Sequence, residues 1–214
     1  MIVRNLAAAA RVIALVSLLV LALALSGCSS CKDFEVQIAQ LDAQIVLLQK
    51  DLVARDDVIR ERDRIAAELT DSLAVCRSEK GVLIEKSQEV VMITIPDQVA
   101  FPAGGVQVLN SMVPTLQAIA AAVRQHPDWD VFVEGYTDSK ELDDNLIEYY
   151  PTKWELGAAR ACAVVRYLTT DLALPAERFG AVSYGHFRPV GDNETKDGRA
   201  QNRFVRLMMR KSGT

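Results

Sequence analysis

The chain has no excess of positive charge and few of the residue patterns that enzyme sites need. Its 24 Lys and Arg against 28 Asp and Glu give a formal net charge of −4, so nucleic acid, which selects basic surfaces, is a poor partner. Its two histidines, His126 and His186, lack metal-ligand spacing. No GxSxG, HExxH or phosphate-binding glycine loop occurs. We therefore expect no catalysis, no cofactor and no metal site.

The N-terminus carries a run over residues 12–25 that is apolar except for Ser17, behind Arg4 and Arg11. This arrangement predicts a signal peptide over residues 1–27. The LSGC sequence that ends at Cys28 resembles the bacterial lipobox, in which the cysteine is acylated and becomes the first residue. The resemblance implies a membrane anchor at Cys28, and Ser29 after it favours the outer membrane, facing the periplasm. An ordinary cleavage site or an uncleaved anchor is the alternative.

After a short linker (28–32), residues 33–89 contain no proline and one glycine. Apolar residues recur there with a seven-residue period, which predicts a coiled-coil stalk and a homo-oligomer. The first set of positions is Ile38, Ile45, Leu52, Ile59, Ala66 and Leu73, and the second includes Leu41, Leu48, Leu69 and Cys76. A single amphipathic helix folded back on a domain is the alternative. Cys76, at a seam position, could cross-link two chains or could be a small apolar side chain that fills a position of the seam.

From about residue 90 the apolar period changes, and residues 90–211 read as a separate domain. Val90 and Met92 suggest a first strand, and a helix is expected to begin near Ser111, a plausible cap. DVFVEGY is a second strand, ELGAARACAVVRYL a second helix, and two strands follow. The order β-α-β-α-β-β predicts a two-layer α/β sandwich.

Five segments in this region point to a family: FPAGG, VEGYTD, YPTKWELGAARACAVVRYL, YGHFRPV and GRAQNRFV. Their order and spacing resemble the OmpA C-terminal-like domain family, which includes OmpA, MotB and peptidoglycan-associated lipoprotein. The longer loop before YPTKWELGAARA is most similar to the MotB branch. The resemblance implies the α/β sandwich and binding to peptidoglycan through the diaminopimelate of its stem peptide.

Carried over by the same resemblance, Asp138 takes the ammonium of diaminopimelate and Arg160 takes its carboxylate. Thr137, Asn202 and Arg203 are further candidate peptidoglycan-binding residues, although Asn202 and Arg203 are as well suited to bracing the last strand. Independently of the family, a free amino-acid end carries both charges close together, so its receptor needs one group of each sign. Arginine suits the carboxylate because its planar fork donates two hydrogen bonds. An ordinary salt bridge between Asp138 and Arg160 is the structural alternative.

Three positions depart from the family pattern: Lys153 stands for asparagine, Gly157 for serine and Phe204 for arginine. Lys153 could serve a carboxylate but would repel an ammonium, and Gly157 costs helix propensity, about 1 kcal/mol. The sequence thus predicts a lipid-anchored, non-enzymatic wall-binding protein. An envelope scaffold whose domain binds a protein partner is the alternative.

Overall fold

The computed structural model describes residues 29–213, with side chains from residue 33 onward. The predicted signal peptide and the predicted acylation site, Cys28, lie outside the described residues. The described chain divides into two compact units at Asp56. Within residues 29–213, no helix combines the length and the apolar character needed to cross a membrane.

The first unit consists of the N-terminal part of helix α1, which runs from Ser29 to Ser72. Its apolar heptad positions are open to solvent: Leu41, Leu48 and Leu52 are each more than half exposed. A helix that pairs with a second helix in a coiled coil exposes such an apolar stripe when it is alone. The coiled coil itself stays a prediction for this part of the chain.

In the second unit, the end of α1 and helix α2 (Ala74–Lys80) pack onto the α/β domain of the same chain. Ile65, Leu69 and Leu73 are fully buried there, together with Cys76 as a free thiol. For these residues the folded-back helix, the alternative to a coiled coil, is the observed arrangement. The predicted C-terminal end of the stalk, residue 89, is wrong, because helix α2 ends at Lys80.

Strand β1 (Leu83–Ser87) occupies the end of the predicted stalk and pairs antiparallel with β2 (Val90–Pro96). Gly81 makes this change of structure possible, since its φ of +67° is in the left-handed region that favours glycine. The buried side chains of β2 are Val91, Ile93 and Ile95. Val90 and Met92, the residues that suggested this strand, lie on its opposite face and are half-buried.

The sheet has five strands in the order β1-β2-β5-β3-β4. Strand β3 (Trp129–Tyr136) pairs antiparallel with β5 (Phe204–Lys211) and parallel with β4 (Phe179–Gly185). The predicted α/β sandwich is confirmed, with β1 as an additional edge strand. Because β3 and β4 are parallel, the segments that follow them leave the same edge of the sheet.

Two longer helices belong to the domain: α4 (Val113–Gln125) and α6 (Lys153–Arg166). Their apolar faces join the core through residues such as Leu116, Ile119 and Val164. The predicted cap at Ser111 is wrong: helix α4 begins at Val113, and the Ser111 hydroxyl donates to the Val99 carbonyl instead. The short helices are α3 (Asp97–Ala100), α5 (Asp144–Ile147) and α7 (Lys196–Asn202).

Candidate functional site

A cavity of about 610 Å³ opens where β2 and β3 end and where α6 begins. Its walls carry four carboxylates and four basic side chains, so their formal charges balance. The eight residues are Asp97, Asp138, Lys140, Glu141, Asp143, Lys153, Arg160 and Arg203. A balanced lining of this kind suits a ligand that itself carries both signs of charge.

Asp138 lies just beyond the end of β3 and is held by two cations. Arg203 Nη1 donates to its Oδ2 at 2.6 Å, and Lys153 Nζ lies 3.3 Å from its Oδ1. Burial raises the pKa of this carboxyl, but the hydrogen bond from Arg203 and the charge of Lys153 together outweigh that effect. The pKa of Asp138 is therefore lowered below its ordinary value of 3.8, and the side chain is an anion at neutral pH.

Arg160, in the second turn of α6, does not pair with Asp138. Its Nη1 lies 3.0 Å from Asp97 Oδ1, its Nε donates to the Gly105 carbonyl at 3.1 Å, and its guanidinium lies over the Phe101 ring. Burial lowers the pKa of Arg160 despite Asp97, and burial also raises the pKa of Asp97 despite Arg160. Attraction within the pair thus fails to offset its desolvation, so a second carboxylate would be favourable for Arg160.

Two facing glycines bring Arg160 and Asp138 to one cavity. A Cβ placed on Gly135 of β3 would lie 2.0 Å from the carbonyl oxygen of Gly157 in α6. Arg160 and Asp138 each follow one of these glycines by three residues. Gly135 is therefore required for the close contact between strand and helix, and Gly157, expected only to weaken its helix, packs against Gly135 and Ser183.

The start of α6 is fixed by a capping box. The Thr152 hydroxyl accepts a hydrogen bond from the Trp154 amide, and the Glu155 carboxylate accepts one from the Thr152 amide. This cap holds the first residue of the helix, Lys153, at the cavity wall.

The remaining predicted site residues differ in placement. Thr137 and Arg203 line the cavity, and the buried Thr137 hydroxyl has no hydrogen-bond partner among the described residues. Asn202 is not among the lining residues. Its Oδ1 accepts from the amides of Val190 and Gly191 and its Nδ2 donates to the Gly191 carbonyl, so its observed role is to brace that loop.

Sequence reasoning missed Asp97 as the partner of Arg160, and it missed the apolar wall formed by Phe101, Leu142 and Leu146. The position of Asp97 directly after an apolar strand was a usable signal, of the same kind that pointed to Asp138. Within residues 29–213, no cluster of three or more His, Cys, Asp or Glu side chains could hold a metal ion. The site can bind a ligand that carries separated charges.

The model of the OmpA family matches residues 100–203. Together with the observed fold, this match establishes that the chain carries an OmpA-like domain. The chain is 37% identical over 131 residues to the uncharacterized protein YtxE of Bacillus subtilis, covering 61% of this chain and 52% of YtxE. This chain thus spans about half the length of that relative.

Two solved structures share the fold. A MotB-like protein from Desulfovibrio vulgaris superposes with a TM-score of 0.67 at 22% identity, over 75% of this chain and 98% of that protein. The cell wall anchor of the T6SS from Pseudomonas aeruginosa gives a TM-score of 0.60 at 28% identity, over 67% of this chain and 97% of the anchor. These similarities show that the chain shares its fold with both proteins.

Proposed function

We propose that this protein binds peptidoglycan without chemical turnover, by holding the free end of diaminopimelate in the cavity described above. Asp138 takes the ammonium and Arg160 takes the carboxylate. The observation that carries the proposal is that these two side chains, of opposite charge, line one cavity while each is held by a different rigid element. Membership of the OmpA-like domains and the similarity to a cell wall anchor support the same ligand class.

The carboxylate half of the site is ready for a ligand. Burial lowers the pKa of Arg160 despite its contact with Asp97, so further negative charge near the guanidinium would be favourable. A ligand carboxylate that accepts from the free guanidinium nitrogen would supply that charge. Thr137, whose buried hydroxyl has no partner within residues 29–213, would add one hydrogen bond to the ligand.

The ammonium half requires a rearrangement, because Lys153 Nζ already lies 3.3 Å from Asp138. A ligand ammonium must displace the lysine head group, while Arg203 keeps its bond to the other carboxylate oxygen. The same contact favours a second candidate function, in which the domain serves as an envelope scaffold and Asp138 is a purely structural anion. Binding measurements separate the two.

The test uses the full-length chain in detergent micelles and isolated peptidoglycan sacculi, with pelleting as the readout and free diaminopimelate as competitor. Asp138→Asn and Arg160→Gln each remove a charge-assisted bond worth about 1.5–3 kcal/mol, so affinity should fall about 10- to 150-fold. Arg166→Gln, at an exposed position on the same helix, should leave pelleting unchanged. Pelleting by wild type that neither variant reduces would reject the clamp and favour the scaffold.

We further propose that acylated Cys28 anchors the chain in the outer membrane, facing the periplasm, and that the exposed stripe of residues 33–56 pairs two or more copies. Cys28→Ser should release the protein from the membrane fraction. Leu48→Glu, at a position 60% exposed in the single chain, should lower the oligomer mass in sedimentation without unfolding the domain. A membrane-bound Cys28→Ser protein, or a monomeric wild type, would contradict the respective proposal.

A further inference from the structure

Two large aromatic side chains lie stacked and open to solvent beside the cavity. Trp154 is 46% exposed and Phe187 is 59% exposed, with their ring centroids 5.3 Å apart and their planes 26° from parallel. The His186 ring contacts Phe187 at 4.2 Å. We call Trp154, His186 and Phe187 the aromatic shelf. Exposed aromatic groups that cluster, rather than scatter, are typical of a binding surface.

The topology explains why the shelf adjoins the cavity. Trp154 directly follows Lys153, whose ammonium reaches Asp138, and their Cα atoms are separated by one peptide unit of about 3.8 Å. Phe187 comes two residues after β4, which is parallel to β3, so it leaves the same edge of the sheet as Asp138. At Gly185, where φ is +53°, an added Cβ would lie 3.5 Å from both Trp154 N and Phe187 Cδ2. The β4 turn therefore places Phe187 against the start of α6.

The chemistry of the shelf fits a sugar ring. A pyranose has C–H groups on its faces and hydroxyls around its edge, and an aromatic face is the negative side of a quadrupole that attracts C–H groups. Arg188, one residue beyond the shelf, stacks on Tyr184 at 3.7 Å and is exposed. Its guanidinium offers donors for the oxygens at the edge of a sugar.

We propose that the aromatic shelf binds a pyranose ring of the glycan strand while the cavity holds the stem peptide attached to that strand. This inference rests on the proposed function, since the sugar is brought to the shelf by the peptide it carries.

The experiment compares two ligands on the full-length chain in micelles: the diaminopimelate tripeptide alone, and the same tripeptide joined to its N-acetylated disaccharide. The disaccharide should tighten binding about three- to tenfold, the usual size of an aromatic stacking contribution. The protein has two tryptophans, and the other one, Trp129, is fully buried. A change in indole emission on adding the disaccharide ligand would therefore report on Trp154.

Substitutions separate ring stacking from simple apolar contact. Trp154→Leu should abolish the gain from the disaccharide and leave tripeptide affinity unchanged, whereas Trp154→Phe should keep most of the gain. Val190→Ala removes an equally exposed aliphatic group from the same loop and should change neither affinity.

Equal affinity of wild type for the two ligands, or a full disaccharide gain in Trp154→Leu, would overturn the glycan assignment alone. Failure of a folded wild type to bind the tripeptide at all would overturn the proposed function, and the glycan assignment with it.

Discussion

Replacement of Gly135 by alanine tests whether the site depends on the close contact of α6 with β3. The new Cβ would lie 2.0 Å from the Gly157 carbonyl oxygen and 2.7 Å from its carbonyl carbon. Normal contacts are about 3.5 Å or longer, so the helix must move outward by about 1.5 Å. Because the obstacle is backbone, it cannot rotate away.

Overpacking of this kind costs about 1–3 kcal/mol, and we expect the upper end here. For a protein of this size, a loss of about 3 kcal/mol lowers the melting temperature by about 6–12 °C. Affinity for diaminopimelate should fall as well, because Arg160 moves with the helix while Asp138 stays with the strand.

The assay is thermal unfolding of the full-length chain by circular dichroism, run beside two graded controls. Gly157→Ala meets first the Ser183 hydroxyl at 2.3 Å, a side chain that can rotate, and it gains helix propensity of about 1 kcal/mol. Gly180→Ala meets only the Phe132 ring, at 2.7 Å. Both variants should lose less stability than Gly135→Ala. A Gly135→Ala protein that melts within about 2 °C of wild type, less than about 1 kcal/mol, would refute the close-packing argument.

Three other predictions follow from the charged contacts. Lys153→Asn removes the competitor of a ligand ammonium and should tighten diaminopimelate binding, measured by calorimetry; weaker binding would mean that Lys153 contacts the ligand carboxylate. The folded-state pKa of Asp138 is lowered. The contribution of this carboxylate to the free energy of unfolding should therefore be complete above pH 3.8 and should be lost as the pH falls through the lowered pKa. Urea unfolding should show this loss in wild type and not in Asp138→Asn. His126 is buried, with Nδ1 2.6 Å from Glu61 and Nε2 3.0 Å from Glu68. His126→Ala should therefore lower the free energy of unfolding by about 1–3 kcal/mol and speed hydrogen exchange in residues 57–72. Unchanged exchange in those residues would show that apolar packing alone holds the helix.

Local patterns in the sequence were enough for the elements of the domain. The position of Asp138 directly after an apolar strand was also visible locally, whereas Arg160 was singled out by the resemblance to the OmpA-like domains and not by its helical repeat. The α/β sandwich follows from the order of those elements, because strands and helices in that order have few ways to bury their apolar faces.

The partners of those charges depend on tertiary structure. Asp138 meets Arg203, 65 residues away, and Arg160 meets Asp97 rather than Asp138. No local pattern encodes which carboxylate lies nearest to which cation, since that depends on how the ends of β2, β3 and α7 converge. Gly157 is a similar case: in isolation it weakens a helix, and only the tertiary structure brings it against Gly135 and Ser183.

In the heptad region, too, local spacing and tertiary structure determine different features of the same helix. Its apolar spacing predicted a helix with one apolar face over residues 33–89, because burial of such a face requires that period, and the observed helices end at Lys80. The spacing is the same whether the face is covered by a second chain or by the chain's own sheet. Only the folded structure assigned Ile65, Leu69 and Leu73 to the core of their own domain, since that choice depends on a complementary apolar surface formed by residues far along the chain.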